Sequence, residues 1–144
     1  MSGVIMVGID GSDGSSRALD FAMARAQQSG ERVVVAHVIE WSPYTFNTPQ
    51  ENDQRHQRRE EELQQAEQSL IEPALERLKA AGIEASGRVR HGHAAKTLSQ
   101  LAKAEGADMV VIGRRGVGSL QALLFGSVAG SLVQVASMPV TVVP

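Results

Sequence analysis

The chain has 144 residues, with 14 Lys plus Arg against 16 Asp plus Glu, a formal net charge of −2, and no cysteine. Most domains contain about 100–150 residues, so we expect residues 1–144 to form one domain. The lack of cysteine excludes disulfides and thiolate metal sites. The near-neutral charge argues against a surface that binds nucleic acid in general. A hydrophobic fraction of 42% with 21% charged residues is typical of a folded globular protein.

No segment of the sequence predicts membrane insertion or export. The longest apolar stretches, such as residues 109–112, are much shorter than the roughly 20 residues that a spanning helix needs. The N-terminal residues carry no basic region and run directly into Asp10, which is not the pattern of a secretory signal. We therefore expect a cytoplasmic protein without a transmembrane segment.

Short apolar runs alternate with helical patterns along the whole chain. The strands are predicted at Val4–Ile9, Val33–Ile39, Ile83–Arg90, Ala107–Ile112 and Pro139–Val143. The helices are predicted between a cap at Ser15 or Ser16 and Gly30, and at Gln54–Ala81, Ala94–Ala104 and Ser127–Ala136. This alternation predicts an α/β fold, a doubly wound sheet of five mostly parallel strands with right-handed crossovers and helices on both faces.

Three local features refine this outline. Pro73 is expected to kink or split the long helix, because it removes a hydrogen bond and clashes with the preceding turn. The third strand alternates polar and apolar residues, which predicts an edge strand with one wet face. The segment from Glu40 to Asp53 is expected to be a loop, and its aromatic residues Trp41, Tyr44 and Phe46 would cover a ligand, pack on the protein or contact a partner.

Glycine-rich turns follow the first and fourth predicted strands. The first turn is Asp10-Gly11-Ser12, and the second spans residues 113–119. Ligands of open parallel sheets bind beyond the carboxyl ends of the strands, where the winding reverses. At such a place Asp10 is either a ligand-binding carboxylate or an ordinary turn aspartate, and the position favours the ligand role.

The second turn has the features of a phosphate site without a standard phosphate motif. Gly113 and Gly116 would let backbone amides approach an anion, and Gly126 begins the last predicted helix, where the dipole favours phosphate. Ser119 stands where a Walker loop has its lysine, and the dinucleotide fingerprint is absent. From these residues alone, a phosphate site and a purely structural glycine turn both remain open.

Other polar residues favour structural roles. His37 lies in an apolar strand and is predicted to pack in the core. His91 and His93 are two residues apart, so on a strand they would share a face and could bind a metal. No carboxylate or third histidine accompanies them in the sequence, and a solvated loop is the expectation. The block of arginines and glutamates at residues 55–62 predicts a solvated helix face with internal charge pairs.

The sequence resembles the universal stress protein family. The family's nucleotide pattern G-x2-G-x9-G-[S/T] is met by Gly113, Gly116, Gly126 and Ser127. Matching segments also follow in order at residues 7–12, 35–38, 107–113, 124–128 and 138–143. The resemblance covers the whole chain and implies the strand order 3-2-1-4-5 and an ATP-binding member.

The resemblance also implies which residues bind the nucleotide. These are Asp10, Gly11, Ser12, Val38, Gly113, Arg115, Gly116, Gly126, Ser127 and Val128. Asp10 would contact the ribose and the Val38 backbone the adenine edge, while the glycine loop, Arg115 and the start of the last helix would hold the phosphates. Mg²⁺ would accompany the triphosphate, and the metal-binding residues stay undetermined.

For a member of this family the resemblance implies a regulator. ATP would set its conformation or oligomeric state and its interaction with an unknown protein partner. The last strand would pair across a homodimer or a larger oligomer, since an apolar edge strand is costly to leave unpaired. One alternative is a slow ATPase or autophosphorylating enzyme, although no water-positioning residue is evident. The other is an oligomeric scaffold whose glycine loop is only structural.

Overall fold

The structure is a computed structural model that describes residues 3–40, 49–116 and 126–144, with backbone alone for 49–52. Its strands are β1 (Val4–Gly8), β2 (Arg32–Glu40), β3 (Ala85–Gly92), β4 (Met109–Gly113) and β5 (Val140–Val143). Its helices are α1 (Asp13–Ser29), α2 (Pro49–Ala66), α3 (Glu72–Ala80), α4 (Ala94–Ala104) and α5 (Ser127–Val135), with a π-helical turn at Glu67–Ile71. None of the helices in these ranges is long and apolar enough to cross a bilayer.

The five described strands form one sheet in the order β3-β2-β1-β4-β5, and all four neighbouring pairs are parallel. This confirms the predicted α/β class and the order 3-2-1-4-5. Side chains alternate between the two faces: Ile5 and Val7 pack with α1 to α3, whereas Met6 and Val110 pack with α4 and α5. Burial on both faces explains why the central strands read as continuous apolar runs.

Helix α1 begins earlier than the sequence predicted. Its N-cap is Ser12, whose Oγ accepts a hydrogen bond from the Ser15 N–H at 3.1 Å, so the expected cap at Ser15 or Ser16 is wrong. Ser15 is instead buried, and its hydroxyl donates to the Ser12 carbonyl at 3.0 Å. At the other end Gly30 ends the helix in the left-handed conformation, as predicted.

The predicted loop from Glu40 to Asp53 is wrong at both ends. Glu40 is the last residue of β2, and α2 already begins at Pro49. Proline is well suited to the first turn of a helix, where its missing N–H would have no partner. Residues 41–48, with the three aromatic side chains, lie outside the described residues, so their role as a cover stays a prediction.

The long helix is interrupted just before Pro73, as expected. The N–H of Glu72 donates to the carbonyl of Glu67 across the π-helical turn, and Pro73 lies in the first turn of α3. This turn buries Ile71 completely. Ile71 lies against Gly87 of β3, where a Cβ atom would overlap its Cγ2. Gly87 therefore provides the space that the π-helical turn needs.

Strand β3 is an edge strand, as predicted, and arginine side chains cover part of its outer edge. The N–H of Val33 donates to Glu84, and by the alternation of a parallel ladder the carbonyls of Gly87 and Val89 point away from β2. Arg88 donates to the Gly87 carbonyl at 2.7 Å and Arg90 to the Val89 carbonyl at 2.9 Å. Charged side chains of this kind hinder pairing with another strand.

The contact between Gly87 and Ile71 predicts a non-additive pair of substitutions. Gly87→Ala should lower the free energy of unfolding by about 1–3 kcal/mol, because the new methyl group overpacks a filled site. In an Ile71→Ala background, which itself costs about 2–5 kcal/mol, the same change should be nearly neutral. Urea unfolding of the four proteins measures the coupling, and strictly additive losses would contradict this packing.

Candidate functional site

A cleft of about 330 Å³ lies at the carboxyl ends of β1, β2 and β4, bordered by the start of α5. The strand order reverses direction between β1 and β4, and open parallel sheets bind ligands at such a point. Eight of the ten predicted residues line it: Asp10, Val38, Gly113, Arg115, Gly116, Gly126, Ser127 and Val128. The part of the glycine loop at residues 117–125 lies outside the described residues.

The two remaining predicted residues, Gly11 and Ser12, do not line the cleft, but they follow Asp10 directly in the chain. Ser12 donates to Asp10 Oδ1 through its N–H at 2.9 Å and through its hydroxyl. Gly11 takes a φ of +83°, which favours glycine, and its Cα lies beside the Leu70 side chain of the π-helical turn. The Ser12 hydrogen bonds fix the direction of the Asp10 carboxylate, and neither Gly11 nor Ser12 belongs to the lining of the cleft.

The glycines of this site allow parts of the protein itself to approach closely. A Cβ on Gly113 would lie 2.7 Å from the backbone carbonyl of Gly14, in the first turn of α1. A Cβ on Gly14 would overlap the Arg115 carbonyl, and one on Gly116 would overlap Asp10 Oδ2. The sequence analysis explained Gly113 and Gly116 by the close approach of an anion. The structure shows that both positions also lack room for a Cβ atom because of contacts within the protein.

Gly14 was missed by the sequence analysis, although a signal was available. Glycine inside a helix costs about 1 kcal/mol relative to alanine, so a glycine in the first turn needs a reason. Here the reason is the close approach of the loop that follows β4.

The two arginines after β4 have different roles. Through its backbone, Arg114 connects three elements: its N–H donates to Val143 at 2.7 Å, and its carbonyl accepts from the Gly126 N–H at 2.6 Å. Its side chain is exposed. Arg115 is half-buried, and its Nε is buried without a hydrogen-bond partner among the described residues. An unpartnered buried donor is costly, so this atom is suited to a ligand oxygen.

The start of α5 adds further donors to the same side of the cleft. Gly126 is the N-cap and supplies no side-chain cap. The first backbone N–H groups of a helix lack intrahelical partners, and the N-terminal dipole carries about half a positive charge. Ser127, the first residue of α5, is exposed and adds a hydroxyl. This end of the cleft is therefore an anion-binding environment.

The opposite end of the cleft contains groups that the sequence analysis did not place there. His37 is half-buried and lines the cleft, and its Nδ1 donates to the Ile9 carbonyl at 2.7 Å. In the neutral ring this bond leaves Nε2 as an acceptor. Glu40 also lines the cleft and is exposed. A carboxylate here makes this end unfavourable for phosphate. The cleft therefore has a negative side chain, Glu40, at this end and positive groups at the end near Arg115.

Of the other two histidines, His91 differs from the expected solvated loop, whereas His93 is exposed and lies between β3 and α4, in agreement with it. His91 belongs to β3, its side chain is only 14% exposed, and its Nε2 lies 3.2 Å from Glu62 Oε2 on α2. His93 is the N-cap of α4. Within residues 3–40, 49–116 and 126–144 there is no group of three or more His, Asp or Glu side chains that could hold a metal ion.

Comparison with known proteins identifies the family. The model of the universal stress protein family matches residues 1–144, so this chain belongs to the universal stress protein family. Universal stress protein YxiE of Bacillus subtilis is 28% identical, over 96% of this chain and 97% of its own. A universal stress protein of Thermus aquaticus is 31% identical, over 96% of each chain.

Solved structures agree with the fold. UspA of Lactobacillus plantarum matches with a TM-score of 0.85 at 21% identity, over 99% of this chain and 97% of its own. A universal stress protein in complex with cAMP has a TM-score of 0.71 at 24% identity, over 99% and 97%. The universal stress protein of Archaeoglobus fulgidus in complex with dAMP has a TM-score of 0.65 at 23% identity, over 99% and 98%.

The contact of Gly113 with Gly14 predicts a loss of stability on substitution. Gly113→Ala should lower the free energy of unfolding by about 1–3 kcal/mol, because backbone atoms of α1 cannot move aside as a side chain can. Gly8→Ala is the matched control at the end of β1, where the new Cβ would lie 3.3 Å from the flexible Leu98 side chain. Urea unfolding should show a smaller loss for Gly8→Ala; equal losses would contradict the backbone contact.

Proposed function

We propose that this chain binds ATP in the cleft and acts as a nucleotide-dependent regulator. The observation that carries the proposal is that the α5 N-terminus, which has no side-chain cap, and the Arg115 Nε, which has no hydrogen-bond partner among the described residues, border the same side of the cleft. Both provide donors and positive potential that a phosphate chain satisfies.

The polarity of the cleft supports one orientation for the nucleotide. The phosphates would lie at Gly116, Gly126, Ser127 and Val128, on the side of Arg115. Asp10, whose carboxylate is held by Ser12, would accept from the ribose hydroxyls. The base would then extend toward Val38, away from the arginines.

Two structural relatives hold adenine nucleotides, cAMP in one and dAMP in the other. These complexes support adenine as the base, while the choice of a triphosphate rests on the glycine pattern of this chain. Mg²⁺ would bind chiefly through the phosphates, because in the described part of the chain no three candidate side chains converge.

The first test of the proposal is the loss of affinity when Arg115 is changed. Calorimetric titration should show binding of Mg-ATP, and Arg115→Gln should weaken it about tenfold or more, since a hydrogen bond to a charged group is worth about 1.5–3 kcal/mol. Arg114→Gln, at an exposed neighbouring side chain, should weaken it less. Arg25→Gln, on the far part of α1, controls for net charge.

The titration, together with an assay of ADP release, separates the proposal from its alternatives. Absence of binding to ATP, ADP, AMP and cAMP would overturn it and favour a scaffold. Steady release of ADP well above one equivalent per protomer would favour an ATPase. If Arg114→Gln and Arg25→Gln weaken ATP binding as much as Arg115→Gln does, the assignment of Arg115 to the phosphates is contradicted.

We further propose that two copies pair through β5. Val110 and Arg114 donate to the carbonyls of Pro139 and Val143, so by alternation the backbone of Val140 and Val142 points away from β4. Unlike β3, this strand consists of Val and Thr and carries no charged side chain. An apolar edge that no described strand pairs with favours pairing with a strand of a second copy.

Proline substitution in β5 tests this pairing. Val142→Pro removes an N–H that points outward, so it should convert a dimer to monomer while the fold persists. Thr141→Pro removes an N–H that faces β4 and should instead lower the free energy of unfolding by about 3 kcal/mol. Sedimentation velocity and thermal unfolding measure the two effects. A Val142→Pro protein that associates as strongly as the unchanged chain would exclude pairing through this edge.

A further inference from the structure

Helix α2 has a polar stripe that faces solvent. Its residues belong neither to the lining of the cleft nor to the hydrophobic core. The stripe consists of Gln54, Arg58, Glu61 and Gln65, spaced four, three and four residues apart, so the four side chains lie on one face. All four are exposed, whereas Leu63 and Ala66 on the other side turn toward the protein. We call this set the α2 stripe.

The charges of the α2 stripe have no ion-pair partner among the side chains that the structure describes. His56 pairs with Glu60 at 3.3 Å, and Glu62 pairs with His91 at 3.2 Å. Arg58 and Glu61 form no ion pair with any described residue. The internal pairing that the sequence predicted for this block is therefore wrong for these two residues. With the arginine N-terminal to the glutamate, their order is also the less favourable one within a helix.

The α2 stripe is complementary to itself. Its four positions are symmetric about a point between residues 59 and 60. If a second α2 lies antiparallel across that point, Arg58 faces Glu61 of the other copy and Gln54 faces Gln65, each pair occurring twice. This is the arrangement of an isologous two-fold contact, in which one surface pairs with itself. Helices pack at 8–10 Å between axes, a distance that Arg and Glu side chains can span.

We propose that the α2 stripe is a self-association surface whose partner is a second copy of this chain, bound antiparallel through the Arg58–Glu61 pairs. The contact is weak and sensitive to salt, because it consists of exposed polar side chains and contains no apolar anchor. Added salt screens such pairs, with a Debye length of about 10 Å at 0.1 M and about 3 Å at 1 M.

The α2 stripe is remote from the edge proposed for the dimer. Helix α2 contacts β3, at one edge of the described sheet, and β5 lies at the other edge. A chain that uses both surfaces therefore assembles beyond a dimer. The α2 contact does not depend on nucleotide binding, so its test is independent of the function proposed above.

Charge reversal provides the test. We expect sedimentation equilibrium of the full chain to show association beyond the β5-paired dimer. This further association should weaken between 20 mM and 500 mM NaCl. Arg58→Glu and Glu61→Arg should each lower the association constant at least tenfold, because each variant places like charges opposite one another. Lys103→Glu, at an exposed residue of α4, has the same change in net charge as Arg58→Glu and should leave association unchanged.

Restoration of the pairs distinguishes a direct contact from a general charge effect. The double variant Arg58→Glu with Glu61→Arg should again associate with itself, and a mixture of the two single variants should form mixed oligomers. Circular dichroism checks that every variant is folded. Association that does not vary with salt, or a double variant that remains as weak as the singles, would overturn the proposal.

Discussion

The architecture of the cleft depends on the close approach of two backbone segments. Gly113, at the end of β4, lies against the first turn of α1 at Gly14, without room for a Cβ atom. This contact holds the loop after β4 against the loop after β1. It therefore places Arg115 and Gly116 beside Asp10, although more than a hundred residues separate them. A glycine pattern that resembles a ligand motif thus also serves as a packing contact.

The same junction positions the start of α5. The backbone of Arg114 binds β5 through its N–H and Gly126 through its carbonyl, so the last strand and the last helix meet at the end of β4. A change at β5, such as the proposed pairing with another chain, would reach Arg114, the residue whose backbone holds the start of α5 at the proposed phosphate end of the cleft. The structure thus offers a short physical connection between the proposed dimer edge and the proposed nucleotide site.

The two edges of the sheet differ in the side chains they carry, and this difference affects where further copies can bind. Arg88 and Arg90 donate to carbonyls at the outer edge of β3 and hinder strand pairing there. The β3 side instead carries α2, which is connected to β3 by the Glu62–His91 pair. Association on that side would therefore use side chains of a helix, whereas β5 offers backbone groups.

The sequence by itself determined the alternating fold, the strand order through its resemblance, and eight of the residues that line the cleft. These succeed because burial on both sheet faces imposes apolar runs, and because the carboxyl ends of parallel strands share one edge. Local rules failed where two signals compete. Ser12 caps α1 although Ser15 and Ser16 are equally good cap residues, and Pro49 begins a helix in a segment predicted to be a loop.

Only the tertiary structure decided which side chains meet across the chain. His37 and Glu40 line the cleft because β2 lies next to β1. Of the two adjacent arginines, Arg115 has the buried nitrogen, whereas Arg114 has an exposed side chain and a backbone that contacts β5 and α5. Gly14 is required by a loop that follows a hundred residues later. Sequence patterns report the periodicity of one segment, whereas these contacts depend on the distance between segments, which is fixed only when the sheet and its helices pack.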